Sequence, residues 1–336
     1  MATNTVGIVA IGRNEGERLR ECLHAVKVQT RERAPIVYVD SGSTDDSIQV
    51  ARELDISVIE LDRAEPFTAA RARNTGFDYL ITHFPEIQYV QFIDGDCELS
   101  AGWLEDARSW LAKDDQLAIV CGRRQERFPE GSVYNRYTDL EWEAPAGEVS
   151  ACGGDALIKV CALQAVNGYN NTLICGEEPE MCIRLRRLGW KIRRLDRTMV
   201  LHDADMQKFG QWWKRAVRGG WAVAQGFAMY GQAPEQYMAR QHRSGWLWGV
   251  LIPGFALLVA VPTNGLSLWL LLSYGALMYR IYRYRRDSYG NLPTHALTYA
   301  FFCTLSKFAQ AVGQLKYWLT RWQRKTPVLI EYKTST

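Results

Sequence analysis

The sequence predicts an α/β fold: a doubly wound, mostly parallel sheet, followed by a C-terminal region of membrane-associated helices. Three observations predict it. Short apolar runs alternate with helix-period segments over residues 6–96, acidic residues stand just past the ends of those runs, and residues 244–279 carry no charge. Alternation at this spacing implies parallel strands joined by crossover helices, with ligands meeting the sheet beyond its carboxyl edge.

Residues 6–11 form a short apolar run of the kind buried on both faces of a sheet. A turn at Gly12-Arg13-Asn14 leads into a helical pattern from Glu15 to about Gln29, with Leu19, Cys22, Leu23 and Val26 on one face. Residues 36–40 are the second strand. Asp45 and Asp46 open a helix carrying Ile48, Val50, Ala51 and Leu54, with Ser43, Thr44 or Asp45 available as its N-cap. Residues 56–61 form a third strand, 67–82 a third helix, and 89–93 a fourth strand that ends on Asp94-Gly95-Asp96.

The later part of the domain reads as less regular. Gly153-Gly154-Asp155 is a turn before a short strand and helix, and residues 177–188 are helical with Gly189 as their stop. Residues 192–201 form one more strand, running to His202-Asp203, and 208–226 an amphipathic helix rich in Trp and Arg. The sheet-bearing domain is expected to span residues 1–230 and the membrane-associated helices residues 231–336.

Composition narrows the function. With 40 Lys and Arg against 37 Asp and Glu the net charge is +3, which excludes the strongly basic surface of a general nucleic-acid binder. The mean hydropathy of −0.22 is that of a soluble protein. Most of the 12 Trp residues nevertheless fall in the second half, as suits a chain that meets a bilayer interface. Eight cysteines without a Cys-x-x-Cys pair read as reduced thiols rather than a metal or disulfide framework. The first residues have neither a basic start nor a long apolar run, so no signal peptide is expected and the first domain should stay cytoplasmic.

Two constellations carry chemistry. Asp94-x-Asp96 at a strand end can hold a divalent cation that neutralises a pyrophosphate, although Asp-Gly-Asp is also ordinary turn chemistry. Asp40, at another strand end, offers a carboxylate to a nucleobase N–H at the sheet edge.

Five blocks in order resemble the family 2 glycosyltransferases of the GT-A fold. They are residues 9–15 (Val-Ala-Ile-Gly-Arg-Asn-Glu), 39–45 (Val-Asp-Ser-Gly-Ser-Thr-Asp), 72–76 (Ala-Arg-Asn-Thr-Gly), 92–96 (Phe-Ile-Asp-Gly-Asp) and 176–185 (Gly-Glu-Glu-Pro-Glu-Met-Cys-Ile-Arg-Leu). The resemblance implies donor binding by Asn14, Glu15, Asp40, Arg73 and Asp94, and Mn²⁺ or Mg²⁺ held by Asp96 with Asp94. Where the family has Glu-Asp this chain has Glu177-Glu178, so by position Glu178 takes the place of the catalytic base, with Glu180 as competitor and Glu177 on the acceptor side. His202 resembles the histidine that some GT-A enzymes use as a third metal ligand. The usual proline of the opening block is absent. Gln211-Trp212-Trp213-Lys214-Arg215 differs in spacing from the Gln-x-x-Arg-Trp of processive synthases. That implies an enzyme that adds one sugar and releases, with Trp212 and Trp213 on an acceptor-side helix or packed on the domain or lipid.

Residues 244–279 would reach roughly 54 Å as one helix at about 1.5 Å per residue, against a hydrocarbon core of about 30 Å. Pro262-Thr263-Asn264-Gly265 divides them, so a hairpin of residues 246–261 and 266–279 is expected. Arginines on both flanks place both ends on the cytoplasmic side. Residues 294–322 read as an amphipathic helix in the interface. The expected function is inverting transfer from a nucleotide-diphosphate sugar to a lipid-linked or membrane glycan acceptor at the cell membrane, as in cell-surface polysaccharide assembly. The alternatives are a transferase acting on a polyprenyl phosphate, which needs no strong base, and a non-catalytic membrane scaffold.

Overall fold

The computed structural model describes residues 5–30 and 34–325, together with 327, 330 and 331. The leaderless start read at residues 1–4 lies outside them. Two units divide the chain: residues 1–127 with 142–204, and residues 128–141 with 205–336.

In the first unit the alternation read from the sequence gives β1 (Thr5–Gly12), α1 (Glu17–Thr30), β2 (Ile36–Asp40), α2 (Ser47–Glu53), β3 (Ser57–Glu60), α3 (Ala69–His83) and β4 (Ile87–Asp94). The four strands pair in parallel in the order β3-β2-β1-β4. Ile8, Val9 and Ala10 are buried, as a strand covered on both faces requires. Gly76 lets α3 lie close to the sheet, since a Cβ there would stand 2.5 Å from Val9 Cγ1. The cap of α2 differs from expectation: Asp46 is the N-cap without a side-chain bond, while the Asp45 carboxylate accepts from the Ser47 N–H.

Then come β5 (Cys97–Leu99), α4 (Trp103–Leu111), β6 (Leu117–Glu126), α5 (Val133–Glu141, in the second unit), β7 (Gly147–Glu148), β8 (Ala156–Lys159), α6 (Val160–Ala165), α7 (Glu177–Arg187) and β9 (Lys191–His202). Here the expected mostly parallel sheet is corrected to a mixed one. β8 runs antiparallel to both β4 and β6, β9 is parallel to β6, and β5 and β7 are antiparallel to β9. The reversal has a consequence for the site. An antiparallel β8 starts where β4 ends, with Ala156 opposite Phe92, and so brings Asp155 to the carboxyl edge beside Asp94. Pairing of β5 with β9 sets Cys97 opposite His202. All eight cysteines are free and six are buried.

The second unit is helical: α5, α8 (Phe209–Tyr230), α9 (Ala239–Trp246), α10 (Ile252–Leu258), α11 (Ser273–Tyr289) and α12 (Pro293–Trp322). Its division from the first falls at residues 204/205 rather than near 230, because α8 packs on α12. The two helices approach at Gly220 and Gly313, where a Cβ on Gly313 would meet the Val217 carbonyl oxygen. Tyr137, Trp212 and Phe302 form a buried aromatic cluster between α5, α8 and α12.

The expected hairpin is formed: residues 239–258 and 266–289 are helical arms joined by the turn at residues 259–265, and Trp248 meets Tyr274 across them, but neither arm is regular α-helix throughout. A π-helical turn, Leu247–Leu251, links α9 to α10, and Leu266–Leu272 is a 3-10 helix leading into α11. Pro253 lacks the N–H that would reach the carbonyl of residue 249, which widens the preceding turn. No described helix is long and apolar enough to cross a membrane.

Candidate active site

The loops after β1 and β2 brace each other. Asn14 takes a positive φ of 55°, its N–H donates to Ser43 Oγ at 2.9 Å, and its Oδ1 accepts from the Thr44 N–H at 2.7 Å. The N–H of Glu15 donates to Ser47 Oγ at 3.0 Å, and its carboxylate pairs with Arg18. Asp40 is 1 % exposed. One of its oxygens accepts from the Gly42 and Ser43 amides and the other from the Tyr38 and Ser43 hydroxyls. A carboxylate has about four acceptor positions. Those of Asp40 are therefore committed to its own loop, and the expected free lone pair for a nucleobase is not presented.

Asp94 is the hub of a buried charge network. Arg73 donates to Asp94 Oδ1 at 2.8 Å and to Glu177 Oε1 at 2.6 Å, and lies 3.1 Å from Glu178 Oε1. Arg124 donates to Asp94 Oδ2 at 3.0 Å and also to Asp155, while the Asp94 N–H donates to Asp155 Oδ1 at 2.9 Å. Gly154 must lack a side chain, since a Cβ would stand 2.4 Å from Arg73 Nη2 and 2.8 Å from Asp94 Oδ2. Burial alone would raise the Asp94 pKa, but Arg73 and then Arg124 outweigh it and the net shift is downward. Asp155 moves the other way, because burial outweighs its pairing with Arg124.

Glu178 is the group whose ionisation is poised. Burial first, and then the charge of Glu177, push it up to about 7 against the opposing pull of Arg73. Glu180, its competitor, is committed elsewhere: Arg184 donates to both of its oxygens at 2.8–3.1 Å. Glu177, expected on the acceptor side, is 3 % exposed and is held by Arg73.

Asp96 and His202 meet where β5 adjoins β9. His202 Nε2 stands 3.1 Å from Asp96 Oδ2, and its Nδ1 stands 3.3 Å from Glu126 Oε2. Burial opposes charge on the ring, but Asp96 and then Glu126 overcome it and raise the His202 pKa. The ligand atoms of Asp96, Cys97 and His202 lie within 4.8 Å of one another, and so do those of Asp94, Cys97 and Asp155. This donor set fits a small divalent cation on two grounds. Glu126 on the far ring nitrogen is the partner that orients a metal-bound histidine. Cys97 also ties the two sets together, its Sγ donating to Asp96 Oδ1 and to Asp155 Oδ2 at 3.5 Å each, so that ligand atoms from both converge there.

Comparison with known proteins shows what this unit is similar to. Residues 8–158 match the family model described as "Glycosyl transferase family 2". That match covers just under half of the chain and lies mostly within the first unit. The chain is 28 % identical over 204 residues to the pre-mycofactocin glycosyltransferase of Mycobacterium tuberculosis, an alignment covering 56 % of this chain and 41 % of that protein. It is 24 % identical over 213 residues to the succinoglycan biosynthesis protein ExoA of Rhizobium meliloti, covering 60 % of this chain and 64 % of that one. The chain thus spans less than two thirds of either relative. Among solved structures, the mannosyltransferase PcManGT from Pyrobaculum calidifontis, in complex with GDP-Man and Mn²⁺, is similar in fold. Its TM-score is 0.59 at 20 % identity, over 92 % of this chain and 86 % of that one.

In the first unit the structure brings together Arg73, Asp94, Glu177 and Glu178, and separately Asp96 with His202. Asn14 and Glu15 join the Asp40 loop instead. Trp212 and Trp213 lie in the second unit. Trp212 is 1 % exposed in the aromatic cluster and is a core residue there, and Trp213 packs at the edge of that cluster. The sequence reading missed Arg124, Glu126 and Asp155. Each stands at the carboxyl end of a late strand or in the loop before one.

Proposed function

We propose that the domain transfers a sugar, with inversion, from a nucleotide-diphosphate sugar to a hydroxyl of a membrane-borne or lipid-linked acceptor in polysaccharide-related synthesis. The observation that carries this reading is Glu178: a carboxyl poised at about 7 by burial and by Glu177, linked through Arg73 to the acidic cluster at the sheet edge. A base works best when its pKa lies near the operating pH.

Glu178 takes the proton of the acceptor hydroxyl. The freed oxygen attacks the anomeric carbon as the bond to the diphosphate breaks on the opposite face, and the nucleoside diphosphate leaves. Asp96 and His202, with Asp94 beside them, would hold Mn²⁺ or Mg²⁺, which when bound offsets the charge of the diphosphate. Asp40 organises the loop that meets the nucleoside, and Arg124 is the cation nearest to hand for the phosphates.

The test is release of nucleoside diphosphate by the full chain from a panel of nucleotide sugars, with Mn²⁺ and then with a chelator. Release dependent on Mn²⁺ and lost in Asp96→Asn supports the reading. Equal release in the chelator overturns the metal assignment, and no release from any donor overturns the transfer itself. A phosphate acceptor would show as full activity in Glu178→Gln.

A further inference from the structure

The second unit contains an open cleft of about 790 Å³ whose lining includes Arg240, Arg243, Arg280, Trp246, Trp248 and Leu251. The three arginines are exposed. Among the described residues their side chains form no ion pair or hydrogen bond. Nor is a counter-charge near in sequence. Between Glu235 and Glu331 the one acidic residue is Asp287, which Arg283 holds at 3.0 Å, against eleven Lys and Arg.

Beside this basic cleft the chain exposes apolar side chains that no described residue covers. Leu257, Leu258, Val261, Leu266, Trp269 and Leu272 are each 65–87 % exposed, and no charge lies between Arg243 and Arg280. Scattered exposed leucines are ordinary, but a contiguous set rimmed by polar groups marks a docking face. Unpaired arginines bordering an apolar tip complement an anionic interface, with Trp at the boundary between the two. Residues 247–258 reach about 18 Å along a helix, which suits burial in one leaflet and not passage across about 30 Å of hydrocarbon.

We propose that this face docks on an anionic bilayer, with residues 247–272 inserted in one leaflet and a lipid headgroup phosphate seated among Arg240, Arg243 and Arg280. The proposal deepens the reading of a membrane-borne acceptor, and its test does not require transfer. Arginine suits the task because its planar fork meets phosphate oxygens two at a time.

The experiment is flotation of the full chain with vesicles of phosphatidylcholine alone or mixed with phosphatidylglycerol, at rising salt. The wild type should float with the mixed vesicles and detach as salt screens the charges. The triple variant R240Q/R243Q/R280Q should lose on the order of a hundredfold in partitioning, about fivefold per arginine. Leu258→Ser with Trp269→Ser should lose what remains on neutral vesicles. These side chains are exposed, so unchanged thermal melts are expected. Wild-type partitioning by the triple variant overturns the phosphate site. Failure of the wild type to float, or self-association through the tip that vesicles do not dissolve, overturns the docking. Nucleoside diphosphate release in the same samples separates the two readings: release without flotation sinks the docking alone, and flotation without release sinks the transfer alone.

Discussion

Glu178→Gln removes a titrating group while keeping its size and hydrogen bonding, and the structure gives both of its consequences a direction. In the folded chain the carboxyl titrates at about 7 against an ordinary 4.5, through burial and then the charge of Glu177. Its side chain is 14 % exposed, so solvent screens it little. At about 1.4 kcal/mol per tenfold change in the ionisation constant, that displacement corresponds to about 3 kcal/mol. The sign follows from proton binding. Between about pH 4.5 and 7 the folded state keeps a proton that the unfolded chain has released, so stability falls as pH rises through that window. Above pH 7 the ionised carboxylate carries the full burden, and glutamine does not. Denaturant unfolding should therefore find Glu178→Gln more stable than the wild type at pH 8 by up to about 3 kcal/mol, with the two converging below pH 4.5. Activity should move the other way. Turnover should fall by about 10²–10⁴, and the wild-type rate should rise with pH through a midpoint near 7. A variant no more stable than the wild type at pH 8, with a wild-type rate flat across neutrality, would refute the reasoning.

The remaining predictions concern the partners of that group. Glu126→Gln should weaken Mn²⁺ affinity about 10–100-fold, read by calorimetry, because it orients His202 without touching the donor; unchanged affinity would move the cation elsewhere. Asp40→Ala strands the Gly42 and Ser43 amides and the Tyr38 hydroxyl, at about 1–3 kcal/mol each. It should therefore lower unfolding stability by at least about 3 kcal/mol, and a loss confined to donor affinity would restore the carboxylate to nucleobase recognition. Arg73→Gln should raise the pH midpoint of turnover, because it removes the charge that favours ionised Glu178. Arg124→Gln should chiefly raise the donor KM, and the opposite pattern would exchange the two roles.

Much of the first unit was legible because its opening half is regular. From β1 to β4 each strand is a short apolar run and each helix shows one apolar face, and those elements form within a few residues of where the pattern places them. The second half resists reading for physical reasons. β6 begins apolar but ends Gly-Arg-Arg-Gln-Glu, a stretch that resembles solvent-exposed loop, and β7 and β8 have two and four residues. Strands that short carry no period, so the antiparallel entry of β8, and with it the mixed sheet, has no local signature. The C-terminal helices were legible in outline and not in detail. Length, lack of charge and the turn at residues 262–265 place the hairpin, but the π-helical turn before Pro253 and the 3-10 start of the second arm have no periodic signature, and no described helix is long and apolar enough to cross a membrane.

The same contrast explains which site residues sequence could find. Asp94, Asp96, His202 and Glu178 each sit at the end of a recognisable element, where a carboxylate or imidazole has an evident use. Arg124, half-buried, and Asp155, buried, are placed by strands with no such pattern, yet both pair within the cluster. Asp94 is shared between Arg73 and Arg124, and the two guanidinium groups differ in access: the side chain of Arg73 is 3 % exposed and that of Arg124 20 %. Arg73 also faces Glu177 and Glu178, so drawing it toward a phosphate would remove a cation that favours ionised Glu178. Arg124 pairs with Asp94 and Asp155, which belong to a candidate cation-ligand group, and lies over the Trp142 ring. A diphosphate can exchange with Asp94 for Arg124 while Arg73 stays with Glu178. On the proposed mechanism the arginine that stands out in the sequence serves the base, and the more accessible Arg124 exchanges a carboxylate for the donor.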